Sequence, residues 1–150
     1  MKNKSKLNKI RESKSASSNV LKESKSARSN ILKEWFYMNN KEITVRNIKE
    51  ILDSIDNISI EIWDEAAVIE IQVGEFGTLE MEGTETSLGD PYSNDFLKRN
   101  NVASLYYVTI DADHYVEMKK IMEKIINTVG GFFCADTDNF MPVVGECRAN

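Results

Sequence analysis

The chain has 150 residues, of which 41% are hydrophobic and 29% charged, and its formal net charge is −5. That length suits one domain of ordinary size plus an extension. No apolar run approaches the roughly 20 residues of a membrane-crossing helix, and the basic N-terminus lacks the apolar stretch of a secretory signal. Two cysteines are too few for a disulfide framework, so the expectation is a cytoplasmic protein with reduced thiols.

The charge is unevenly placed. Residues 1–33 hold ten Lys/Arg against two Glu, a net of +8, and residues 34–150 hold nine against twenty-two, a net of −13. Within the basic arm, residues 12–22 (Glu-Ser-Lys-Ser-Ala-Ser-Ser-Asn-Val-Leu-Lys) recur as residues 23–33 (Glu-Ser-Lys-Ser-Ala-Arg-Ser-Asn-Ile-Leu-Lys) with two changes. An eleven-residue period is three helical turns of about 3.67 residues each, and it stacks Ala16, Val20, Ala27 and Ile31 into one stripe. Eight serines in the arm oppose a stable helix. The arm is therefore expected to be helical or disordered. Lys14, Lys22, Lys25, Arg28 and Lys33 form its candidate polyanion-binding set, suited to nucleic acid or an anionic membrane surface. It carries no aromatic residue on which bases would stack.

The acidic domain, residues 34–150, opens on the apolar cluster Trp35-Phe36-Tyr37-Met38, where arm is expected to meet core. Thr44 caps a predicted helix over 44–56, with Val45, Ile48, Ile51, Leu52 and Ile55 on one face. The period then drops to two. Ile58, Ile60 and Ile62 alternate with polar residues, as do Ile69, Ile71 and Val73, and then Leu79 and Met81. These predict three short antiparallel strands joined by turns. Residues 83–103 read as a loop with a short helix from Ser93 to Arg99, and a fourth strand covers Ser104–Ile110. Asp113 is expected to cap a long helix that Gly130-Gly131 stops, and a last strand spans Phe132–Ala135. The order α-β-β-β-β-α-β predicts an α+β fold: a two-layer sandwich of a mostly antiparallel sheet with helices on one face. The alternation implies that the other face is polar.

On that polar face fall Glu61, Glu70, Glu80 and Glu82, with Trp63 and, by the same alternation, Tyr106 beside them and Glu75 and Glu85 near the rim. Carboxylates flanked by an aromatic ring suit a basic protein partner, whose association they would accelerate and filter. Elsewhere the lone histidine, His114, lies among Asp111, Asp113 and Glu117, a pattern that a helix start explains better than a metal site or general base. Cys134 is a nucleophile only if it meets a base, and a buried structural role suits it better. Asp136-Thr137-Asp138-Asn139 opens like a calcium loop but lacks its central Gly and later Glu. No cofactor or metal is expected.

The size and acidity of residues 41–143, the Glu-bearing sheet, and the stretch Gly-Gly-Phe-Phe-Cys-Ala-Asp-Thr-Asp-Asn-Phe-Met-Pro resemble small acidic α+β immunity proteins of bacterial toxin systems. The basic arm departs from that pattern. The resemblance implies a non-catalytic inhibitor that blocks a basic effector. The alternative is an adaptor that binds polyanions through the arm.

Overall fold

The computed structural model of the chain describes residues 33–146. The tandem repeat, with Lys14, Lys22, Lys25 and Arg28, lies outside the described residues, as does Cys147. What is described is an α+β fold built on one seven-stranded, wholly antiparallel sheet. Its strands are β1 (Glu34–Asn39), β2 (Ile58–Trp63), β3 (Val68–Val73), β4 (Thr78–Thr84), β5 (Ser104–Thr109), β6 (Phe132–Ala135) and β7 (Val143–Gly145). Their order across the sheet is β2-β3-β4-β5-β1-β6-β7. Three helices, α1 (Val45–Leu52), α2 (Pro91–Arg99) and α3 (Tyr115–Val129), cover it.

The first core lies between the sheet and the pair α1/α3. Val45, Ile48 and Leu52 of α1, and Met118, Ile121, Met122 and Ile125 of α3, pack there against Trp35, Tyr37, Ile69, Ile71, Leu79, Met81 and Phe133. A second core occupies the opposite face, over β5, β1, β6 and β7. There Phe96 and Leu97 of α2 pack with Phe36, Met38, Leu105, Phe132, Cys134 and Phe140. Phe140 stacks on Phe96 with centroids 4.2 Å apart and planes 16° off parallel. The two helices expected to share one face do so, and the short helix covers half of the other. Among the described residues, no element covers the remaining half, over β2, β3 and β4.

Two strands lie where the sequence pattern shows none. The Trp35–Met38 cluster, expected as a junction, is part of β1, which pairs with both β5 and β6. Alternate residues enter the two different cores, so every side chain is apolar and the period-two signal vanishes. The three-residue β7 is too short to show a pattern. The first helix begins where Thr44 predicts, with Thr44 and Asn47 forming a reciprocal capping box, but it ends at Leu52 rather than at 56. Asp90 caps α2 and Pro91 takes its first position, two residues before the expected start.

Candidate functional site: an acidic sheet face

The two hairpins set the register of the open face. Glu61 of β2 stands opposite Glu70 of β3, and Glu70 stands opposite Glu80 of β4. Thr109 of β5 and Glu34 of β1 continue the same row. One step along, Trp63, Val68, Glu82 and Tyr107 form the next row. Three glutamates thus lie in line across three neighbouring strands, with Glu82 two residues from Glu80 on the same face.

Hydrogen bonds at the ends of the β3–β4 hairpin show which pairs are close. The Gly83 N–H donates to the Ala67 carbonyl and the Val73 N–H to the Gly77 carbonyl, both at 2.8 Å. Odd-numbered β3 residues therefore turn their backbone groups toward β4, and even-numbered ones turn toward β2. Glu70 and Glu80 consequently form a non-hydrogen-bonded pair, the type that brings facing side chains closest. The electrostatics agree with this geometry. Partial burial, and then the carboxylates of Glu70 and Glu82, push the Glu80 carboxyl above its ordinary value of 4.5. Among the described residues no cation pairs with Glu61, Glu70, Glu80 or Glu82. The Lys/Arg ion pairs there are Arg46–Asp64, Lys49–Asp53 and Arg99–Asp95. Like charges placed directly opposite one another destabilise a sheet, so this row opposes folding.

Trp63 lies at the edge of this face and is 47% exposed. Tyr106, which alternation also suggested for the open face, is instead buried in the first core, where its hydroxyl donates to the Ile43 carbonyl at 2.5 Å. Lys33, the one described member of the arm's cationic set, is exposed, and its carbonyl accepts from the Ile110 N–H at 2.9 Å.

The other candidate residues are not brought together. Cys134 is buried in the second core, whereas His114 stands at the start of α3, which packs on the opposite face. The sheet separates thiol from imidazole. His114 Nδ1 lies 3.6 Å from Asp111 Oδ2, too long for a hydrogen bond. Asp113 does not cap α3: residues Ala112–His114 form a 3₁₀ turn, and the Asp111 carboxylate accepts from the Asp113 N–H. Among the described residues no three His, Cys, Asp or Glu side chains converge as metal ligands would.

A cleft of about 800 Å³ opens beside the end of β1, lined in part by Asn39, Lys41, Asn100 and Gly131. Asn39 and the carbonyls of Val129 and Gly130 in its lining are engaged in holding the fold. The Tyr37 hydroxyl donates to the Gly130 carbonyl at 2.6 Å. Asn39 donates to that hydroxyl at 2.8 Å and to the Val129 carbonyl at 3.1 Å, and accepts from the Lys41 N–H at 2.9 Å. This network ties the end of α3 to β1. Burial pushes the phenols of Tyr37 and Tyr106 up to about 12.

No protein-family model, curated protein or solved structure matches this chain. Glu61, Glu70, Glu80 and Glu82 concentrate like charge on one face with no cation paired to them among the described residues.

Proposed function

We propose that this chain is a non-catalytic protein-binding module, an immunity-type inhibitor whose acidic sheet face occupies the cationic site of a basic effector such as a nuclease. The row Glu61–Glu70–Glu80, with Glu82 adjoining and no opposing cation among the described residues, carries the reading. Among the described residues nothing offsets its mutual repulsion, which falls when cations arrive, so a basic partner gains both direct attraction and relief of that repulsion. Trp63 supplies an amphipathic anchor of the type enriched in protein interfaces. The test compares the chain with its Glu61→Lys/Glu80→Lys variant, each used to capture proteins from the native cell. A basic protein retained only by the unaltered chain is then purified. Its association rate should fall at least about tenfold with the variant at low salt, and the gap should narrow as salt rises. Equal rates at low salt would discard the face as the site.

The second reading is an adaptor for nucleic acid or an anionic surface, and it rests on the +8 charge of residues 1–33. If about six of those cations meet phosphates, log K falls with log salt at a slope near −5. A chain lacking 1–33 loses this binding while inhibition through the sheet face survives.

A further inference from the structure

The acidic row ends at β2, and β2 is an edge of the sheet. The hairpin bonds that orient β3 also orient β2. Ser59, Glu61 and Trp63 oppose the even-numbered residues of β3 and bond to them, so Ile58, Ile60 and Ile62 direct their N–H and C=O groups away from the sheet. No strand of the described residues pairs with them. The same isoleucines are incompletely buried on the core side. Ile60 and Ile62 are half-buried, while their cross-strand partners Ile71 and Ile69 are 0% exposed. The six-residue strand has no proline and no lysine, the residues that commonly blunt an edge. The opposite edge, β7, has only three residues.

We propose that the outer edge of β2 is a strand-addition site for an extended segment of the partner in which cationic and apolar residues alternate. The partner's charge rests on the acidic-face reading above, whereas the edge geometry does not. Side chains of an added strand alternate between the two sheet faces. Those on the core side cover Ile58, Ile60 and Ile62. Those on the open side meet Ser59, Glu61 and Trp63 in close, non-hydrogen-bonded pairs, where a lysine or arginine faces the Glu61 carboxylate or the exposed indole. A second copy of this chain is the less suitable occupant, because joining two β2 edges in one sheet sets two acidic rows side by side.

The probe is a synthetic peptide of about ten residues with Lys and Val alternating, against one of the same composition with the two residues in separate blocks. With the full chain, the alternating peptide should slow amide exchange of Ile58, Ile60 and Ile62 by about tenfold or more, and the block peptide should not. Ile60→Pro removes an outward N–H and no β2–β3 bond, and should weaken binding by about tenfold or more. Ile60→Ala, which keeps that N–H, should weaken it by less than about threefold. If Ile60→Pro fails to fold, the exchange pattern of the unaltered chain decides alone. Equal binding of both peptides, with unchanged edge amides, overturns strand addition, and loss of that binding in Glu70→Lys/Glu80→Lys would leave the acidic-face reading standing. Edge protection that survives Glu61→Lys/Glu80→Lys upholds strand addition and instead refutes the acidic-face reading. Protection of these amides without peptide, in a chain that sediments as a dimer, assigns the edge to a second copy and overturns the proposal.

Discussion

Glu70→Gln should stabilise the fold. Glu70 is the middle member of the carboxylate row, directly opposite Glu61 on one side and Glu80 on the other. Facing carboxylates about 6 Å apart repel by about 0.7 kcal/mol in bulk water. Physiological salt roughly halves this, since the Debye length is about 8 Å. Two such pairs give about 0.6–1.4 kcal/mol, in line with the range of about 0.2–1 kcal/mol for cross-strand pairs. Urea unfolding at pH 7 and low salt should therefore place the midpoint of Glu70→Gln above that of the unaltered chain, with an unchanged slope. Added salt should shrink the difference. The pH dependence supplies a second check. Folding raises the Glu80 carboxyl above 4.5, so the folded state holds more proton than the unfolded one between those two values. This site's contribution to stability therefore falls as pH rises through that window. The gain from Glu80→Gln should accordingly be largest above the raised folded value and vanish well below 4.5. A Glu70→Gln chain that is destabilised, or whose stability difference ignores salt, would refute the claim that the row is repulsive.

Three further expectations test the frame that holds the face. Gly131 has φ +81°, and a methyl group there would lie 2.5 Å from the Met38 carbonyl oxygen and 2.8 Å from the Tyr37 hydroxyl. Gly131→Ala should cost more than about 1 kcal/mol in urea unfolding, since a backbone oxygen cannot swing aside. The phenols of Tyr37 and Tyr106 titrate near 12 when folded, so unfolding is favoured as pH climbs from 10 toward 12. Absorbance titration should show these two ionising last, and Tyr37→Phe should flatten the alkaline loss of stability. Phe140→Ala removes the ring stacked on Phe96 in the second core. It should lower the unfolding free energy by about 3–5 kcal/mol while the Glu70→Gln effect persists, because the two sites share no partner.

How much was legible in the sequence depended on whether a strand has one wet face. β2, β3 and β4 alternate because α1 and α3 cover only one side of them, and this alternation revealed the strands and the glutamates' common face together. β1 is covered on both sides, so its period is erased and its Trp35–Met38 run reads as a knot of apolar residues. Missing β1 also hid the position of Glu34 at the far end of the row. Tyr106 went astray because aromatic residues fit either face in an alternating pattern, and its buried hydroxyl is satisfied by the distant Ile43 carbonyl. Which strand forms the edge follows from pairing order, a property of long-range contacts that local pattern does not contain.

The open face and the open edge arise from one topological fact. Among the described residues, α2 and the Phe140 segment cover the second sheet face over β5, β1, β6 and β7. No described element covers the β2–β3–β4 meander on that side. A bare sheet face must be polar, but polarity does not require one sign of charge, since mixed Lys and Glu would keep it wet without repulsion. Ten of the chain's nineteen cations are instead placed in residues 1–33, and the described residues that face outward from β2, β3 and β4 include no Lys or Arg. Separating the charges in this way costs stability on the sheet and gives nothing back in the isolated domain. A cost retained at three registered positions is what the proposed binding of a cationic partner would account for. It is also why removal of that cost in Glu70→Gln should coincide with slower partner capture.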